Sequence, residues 1–211
     1  MKSIRFHEVL TAWGIPDLEP ASRAAALFKK VRDIPFGRMG SRDPWEVYRQ
    51  NKGTCSGKSF LLRELFQGIG LQTRDMICLQ RWRDLTWFPD ETYGVVNFPY
   101  PLQQMLEAVE IVDFHNYLQV RQGEKWLTVD ASIDLPLTEL GFYTTEHWDG
   151  ESDMPLCFAG SDKVWACGDR GEKAKQELTG QLPEKLRSAR NGFLEELTRW
   201  IDAWREKNRR H

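Results

Sequence analysis

A cysteine, a histidine and an aspartate stand well apart in this chain of 211 residues, each in a segment that suits a part in acyl transfer. A thiolate, not a thiol, attacks a carbonyl. A helix start favours the thiolate because its free N–H groups and its dipole attract negative charge. Cys55 sits at such a start, in the segment NKGTCSGKSFLLRELFQGIG from Asn51 to Gly70. Leu62, Leu65, Phe66 and Ile69 form the apolar stripe of a predicted helix, Gly68 and Gly70 end it, and Thr54 is the predicted N-cap. Gly53 and Gly57 read as keeping the thiol open to a substrate. The N–H groups of the same turn are then available to an oxyanion.

A nucleophilic cysteine needs a base, and the base needs an orienting group. His115 falls on a predicted strand from Phe114 to Arg121, and Asp130 ends a second, from Lys125. If Gln122-Gly123 is the two-residue loop between them, Arg121 faces Glu124 and His115 faces Asp130. A four-residue loop also keeps both on one face, whereas a three-residue loop separates them, because side chains alternate along a strand. The Cys-His-Asp reading therefore requires an even-numbered loop. His7 and His211 lie near the ends and His147 has no matching strand. Asp134, the nearest substitute for Asp130, lies beyond the strand pattern.

Other side chains are candidates for binding substrate. Gln50 and Asn51, just upstream of Cys55, carry amides that suit an oxyanion, or else they simply end a short helix. Trp82, Trp87 and Tyr93 line an acyl pocket or serve packing. Tyr117 shares the face of His115 by alternation and is a better candidate for the cleft. Cys78, Cys157 and Cys167 lack the spacing of a zinc site and read as structural, and neither metal nor cofactor is expected.

The elements that must position these groups read as α+β: helices, the cysteine helix, antiparallel strands, then a helix. Phe6, Val9, Leu10 and Trp13 mark a first helix, stopped by Gly14-Ile15-Pro16. A second runs from Ala21 to Val31, and Asp43-Pro44 opens a short third. Leu71 to Trp82 reads as a strand, Asp84 to Pro101 as a long aromatic loop, and Leu135 to Val164 as irregular, with a weak strand at Val164 to Cys167. From Pro183 a long helix carries Leu186, Phe193 and Trp200 at seven-residue spacing, with Leu197 and Trp204 alongside. That stripe packs on the domain or, less simply, forms a dimer seam. One domain is expected: a core over 43–167, N-terminal helices over 1–42 and a C-terminal helical extension over 172–211.

Composition narrows the function classes. Hydrophobic residues at 41% exclude a disordered chain, and four cysteines are too few for a disulfide scaffold. A net charge of -2 gives no overall attraction to nucleic acid. No stretch is apolar enough to span a bilayer, and Arg5, His7 and Glu8 interrupt what a signal peptide would need. A cytoplasmic protein with reduced cysteines is the expectation.

The stretch GTCSGKSFLLRELFQGIGLQTR resembles the nucleophile segment of the transglutaminase-like superfamily. HNYLQV, Gln122-Gly123, KW and VDAS resemble its histidine strand, turn and aspartate strand. The likeness covers about 43–132. It implies a papain-like fold, the nucleophile helix packed on an antiparallel sheet, with Cys55 as nucleophile, His115 as base and Asp130 orienting it. Asn51-Lys52-Gly53 stands where arylamine N-acetyltransferases carry Arg-Gly-Gly. Thr54 and Ser56 flank the cysteine where animal cross-linking transglutaminases carry Gln and Trp. The expected activity is acyl transfer through a thioester on Cys55, as a hydrolase, amidase, peptidase or small-molecule acyltransferase. The substrate is a peptide, protein or small-molecule acyl donor. The alternative is an inactive scaffold on the same fold.

Overall fold

The computed structural model describes residues 2–87, 94–158 and 163–209. Three helices precede the cysteine helix: α1 (Lys2–Ala12), α2 (Pro20–Arg32) and α3 (Pro44–Gln50). Asp43 starts α3, its carboxylate accepting from the N–H groups of Trp45 at 3.0 Å and Glu46 at 2.9 Å, while Pro44 fills a first-turn position that needs no donor. Helix α4 (Cys55–Gly68) begins at Cys55. Its N-cap is Thr54 by position only, because the hydroxyl makes no capping bond. Past its end Gly70 takes φ +86°, a conformation that favours glycine.

Four strands follow: β1 (Thr73–Arg81), β2 (Val112–Gln122), β3 (Lys125–Val129) and β4 (Val164–Gly168). They form one antiparallel sheet in the order β3-β2-β1-β4. Leu61, Leu62, Leu65 and Phe66 of α4 pack on Leu118, Val120, Leu127 and Val129 of β2 and β3, and α1 and α2 close over α4 with Val9, Leu27, Phe28 and Val31. The mixed α+β architecture, with the cysteine helix on an antiparallel sheet, is thus the one the sequence pattern indicates.

Three elements differ from the sequence reading. The stretch read as a loop ending at Pro101 is shorter, because a 3-10 turn occupies Trp82–Thr86 and helix α5 (Tyr100–Ala108) begins at Tyr100, with Pro101 at a tolerated first-turn position. The C-terminal extension holds two helices, α6 (Gly171–Gly180) and α7 (Glu184–Asn208). The β2–β3 hairpin turns one residue later than expected. Gln122 pairs with Lys125, so the loop is Gly123-Glu124. Gly123 has φ +59° at the first loop position, where a two-residue type II′ turn requires glycine. The loop stays even-numbered, so His115 and Asp130 keep one face. Asp130 lies just past the end of β3 and approaches His115 diagonally rather than from directly opposite.

Helix α7 buries Phe193, Leu197 and Ile201 in a cluster with Trp82, Phe98, Leu102, Ile111, Ile133 and Phe158, with Trp200 and Trp204 packed against it. Near its end Arg205 grips both carboxylate oxygens of Asp134 at 2.6 and 2.7 Å and donates to the Phe36 carbonyl at 2.9 Å. Asp134 also accepts from the Phe36 N–H at 2.7 Å. Phe36 in turn bridges to Gly53, two residues before Cys55. The terminal helix is thereby tied to the segment that leads into α4. Among the described residues no helix is long and apolar enough to cross a membrane.

Candidate active site

Cys55 opens α4 and is 7% exposed, at the wall of a cavity of about 620 Å³. Three local devices fix it. Gly37 N–H donates to the Gly53 carbonyl at 3.0 Å, and Gly53 N–H to the Pro35 carbonyl at 3.1 Å. Ser56, the next residue, donates its hydroxyl to Asn116 Oδ1 at 2.7 Å, which joins the helix start to β2. Gly53 and Gly57 serve packing rather than access. A Cβ on either would lie 2.9 or 2.7 Å from a Val47 methyl, so the glycines let α3 close against α4.

His115 is fully buried on β2, and its Nε2 lies 2.7 Å from Asp130 Oδ2. Asp130 is held in turn. Its Oδ2 accepts from the Cys157 N–H at 2.7 Å, its Oδ1 from the Ser132 N–H at 3.1 Å. Phe158 stands edge-on to the imidazole with ring centres 4.6 Å apart. Burial alone would push the His115 pKa down, but the Asp130 charge and hydrogen bond hold it well above its ordinary value. Burial likewise opposes charge on Asp130, and His115 overrides it to keep the carboxyl low. The second ring nitrogen, Nδ1, is buried without a hydrogen-bond partner. Imidazole and thiol still bias each other's protonation. No geometric hydrogen bond joins the pair, a contact that commonly tightens when substrate binds.

The sulfur has a neighbour that the sequence did not suggest. Lys175 of α6 places Nζ 3.5 Å from Cys55 Sγ and 3.8 Å from Asp113 Oδ1. Asp113 also accepts from Arg190 of α7, at 2.8 Å from Nε and 2.6 Å from Nη2. Burial raises the Cys55 pKa, and Lys175 followed by His115 more than reverses this, bringing it down to about 6. Lys175 and Arg190 hold Asp113 ionised against its own burial.

The remaining candidates divide. Trp82 lines the cavity, stacked edge-on to Phe158, and its indole nitrogen has no hydrogen-bond partner. Gln80 of β1, facing Asp113 in register, also lines it, with an unpartnered amide nitrogen. Gln50 and Asn51 do not line the cavity. Gln50 donates to Glu46 at 3.2 Å, and Asn51 caps α3 in a left-handed conformation at φ 46°. They end the short helix, the simpler of their two readings. Tyr117 is buried and stacked parallel to His115 at 6.2 Å, and neither ring lines the cavity. Trp87 is 66% exposed and lines no wall of this cavity. Tyr93 falls outside the described residues.

Asp113 could have been found from sequence, since alternation puts it on the face of His115. Lys175 could not, because a lysine on a helix full of charged residues reads as solvated.

No protein-family profile matches the chain, and no curated protein matches it. Among solved structures, a candidate cysteine protease from Cytophaga hutchinsonii is similar over 66% of this chain, at 13% identity and a TM-score of 0.41. The similar region spans about 40% of that protein's own length.

Proposed function

We propose that the protein is a cysteine-dependent acyl-transfer enzyme, with Cys55 as nucleophile, His115 as general base and acid, and Asp130 as its orienting carboxylate. The observation that carries this reading is the His115–Asp130 pair at 2.7 Å, buried beside a thiol at a helix start. Asp130 fixes the ring so that Nδ1 is left for the thiol. The proton of Cys55 passes to Nδ1, and the thiolate attacks an amide, ester or thioester carbonyl. The imidazolium then protonates the leaving group, and water or an amine resolves the thioester. The resemblance of these segments to the transglutaminase-like superfamily supports the same chemistry. The cavity, with walls from α3, β1, α6 and α7, suits a peptide or small-molecule acyl donor better than protein cross-linking.

The test is hydrolysis of activated esters and thioesters by the wild type and by Cys55→Ala, His115→Ala and Asp130→Ala. Loss of turnover in Cys55→Ala and a fall of about 10²-fold or more in His115→Ala are expected. Activity that survives in Cys55→Ala refutes the reading.

A further inference from the structure

Around Cys55 the buried charges are divided unevenly. On the sulfur side stand two cations, Lys175 and Arg190, and one carboxylate, Asp113. On the histidine side Asp130 is the carboxylate bonded to the ring, and the buried cation Lys58, which also feels Asp130, gives its ammonium to the Arg32 and Ile34 carbonyls at 2.8 and 2.7 Å. With thiol and imidazole both neutral, the sulfur side carries a surplus positive charge, while on the histidine side Asp130 is the charge in direct contact with the ring. Moving a single proton from Cys55 to His115 places a negative charge against Lys175 and a positive one against Asp130. In a site of low polarity such a separation is strongly felt. Lys175 is the cation that touches the sulfur, whereas both Arg190 contacts to Asp113 are close hydrogen bonds.

We propose that Lys175 is a catalytic residue whose ammonium group draws the Cys55 proton onto His115 and then follows the negative charge from sulfur to the substrate oxygen. The step balances without another reagent. The thiolate pair forms the S–C bond, the carbonyl π pair moves to oxygen, and collapse of that oxyanion expels the leaving group with the proton held on His115. Lys175 keeps all three protons throughout. Its ammonium has three donors, of which one meets Sγ at 3.5 Å while Asp113 lies beyond hydrogen-bond reach at 3.8 Å, so a donor is left for an oxygen on the carbon bonded to sulfur. That role fills the place for which Gln50 and Asn51 were candidates.

The proposal rests on Cys55 being the nucleophile, but its test needs no substrate. The rate of iodoacetamide labelling of Cys55, read by peptide mass, is followed across pH in the wild type and in Lys175→Met, Lys175→Gln and Lys175→Arg. Each variant is first checked by thermal unfolding. The charged or titratable groups that act on the sulfur are Lys175 from α6 and His115 and Asp113 from β2, and those that line the same cavity are Arg190 from α7, Arg38, Arg42, Asp43 and Glu172. Lys175→Met and Lys175→Gln should move the half-point of labelling upward by about one unit or more, and Lys175→Arg should largely restore it. In an ester assay the two neutral variants should lose kcat with little change in KM. A folded Lys175→Met whose labelling profile overlies the wild type overturns the role of Lys175 and leaves the Cys-His-Asp reading standing. A wild-type half-point at the value of a free thiol overturns it without any variant. Normal Lys175 effects on labelling, with no turnover of any acyl donor, would instead count against the enzymatic reading.

Discussion

Ser56, the residue after the nucleophile, donates its hydroxyl to Asn116, the residue after the histidine, at 2.7 Å in a fully buried contact. One hydrogen bond thus connects the two chain segments whose side chains must meet. Ser56→Ala leaves a buried amide oxygen unpaired, which costs about 1–3 kcal/mol of stability. It should also lower turnover by about tenfold while leaving the Cys55 labelling profile near that of the wild type. Denaturant unfolding and ester hydrolysis check the two parts separately. Full activity in Ser56→Ala would show that the sheet and helix need no such link.

The pH dependence follows from opposite shifts in the pair. Cys55 is brought down to about 6 by Lys175 and His115 against its burial, so thiolate accumulates as pH rises through that value. His115 is raised well above its ordinary value, so imidazolium persists beyond neutrality and is lost only at higher pH. A bell-shaped kcat/KM profile is expected, with an acid limb near pH 6 and a plateau through neutrality. Asp130→Asn removes the charge that supports the imidazolium, so its basic limb should move to lower pH. A basic limb that stays in place would contradict the assignment of Asp130.

The contact of α3 with α4 depends on missing side chains. Gly57→Ala should destabilise the protein by about 1–3 kcal/mol, because the new methyl would meet Val47 at 2.7 Å. Val47→Ala should recover part of that loss in the double variant, since the two positions touch. Unfolding midpoints of the two single variants and the pair give the coupling directly. An additive result would mean that the glycine serves some other purpose.

Arg205 and Asp134 form a nearly buried bidentate pair that holds the end of α7 to the Phe36 segment. Arg205→Met leaves Asp134 with the Phe36 N–H as its remaining partner, and a loss of about 3–5 kcal/mol is expected. Asp134 is not interchangeable with Asp130, so the labelling profile of Cys55 in a folded Arg205→Met should stay close to that of the wild type.

Much of this site could be read from residue types and spacing. The apolar stripe after Cys55 and the alternation of β2 suffice to place a thiol at a helix start and His115 on the face of Asp130. The turn was displaced by one residue because Gly123 can take a positive φ at the first loop position and Gln122 cannot do so cheaply. Parity survived the shift, which is why the pairing did too. Sequence alone did not expose what depends on distant packing. Lys175 reaches the sulfur only because α6 is docked there, its Ala174 and Leu178 packed with Ile77 and Phe114. Nothing in its neighbours along the chain distinguishes it from a solvated lysine. The packing role of the glycines beside Cys55 is hidden for the same reason, because Val47 becomes their neighbour only once α3 has folded back.

The central claim is that Cys55 carries the acyl group. Intact-protein and peptide mass spectrometry after rapid mixing with an activated acetate ester tests it most directly. A single acetyl group on Cys55, absent in Cys55→Ala and long-lived in His115→Ala once formed at high ester concentration, is the expected result. Acetylation scattered over surface lysines, with Cys55 unmodified in the wild type, would contradict it.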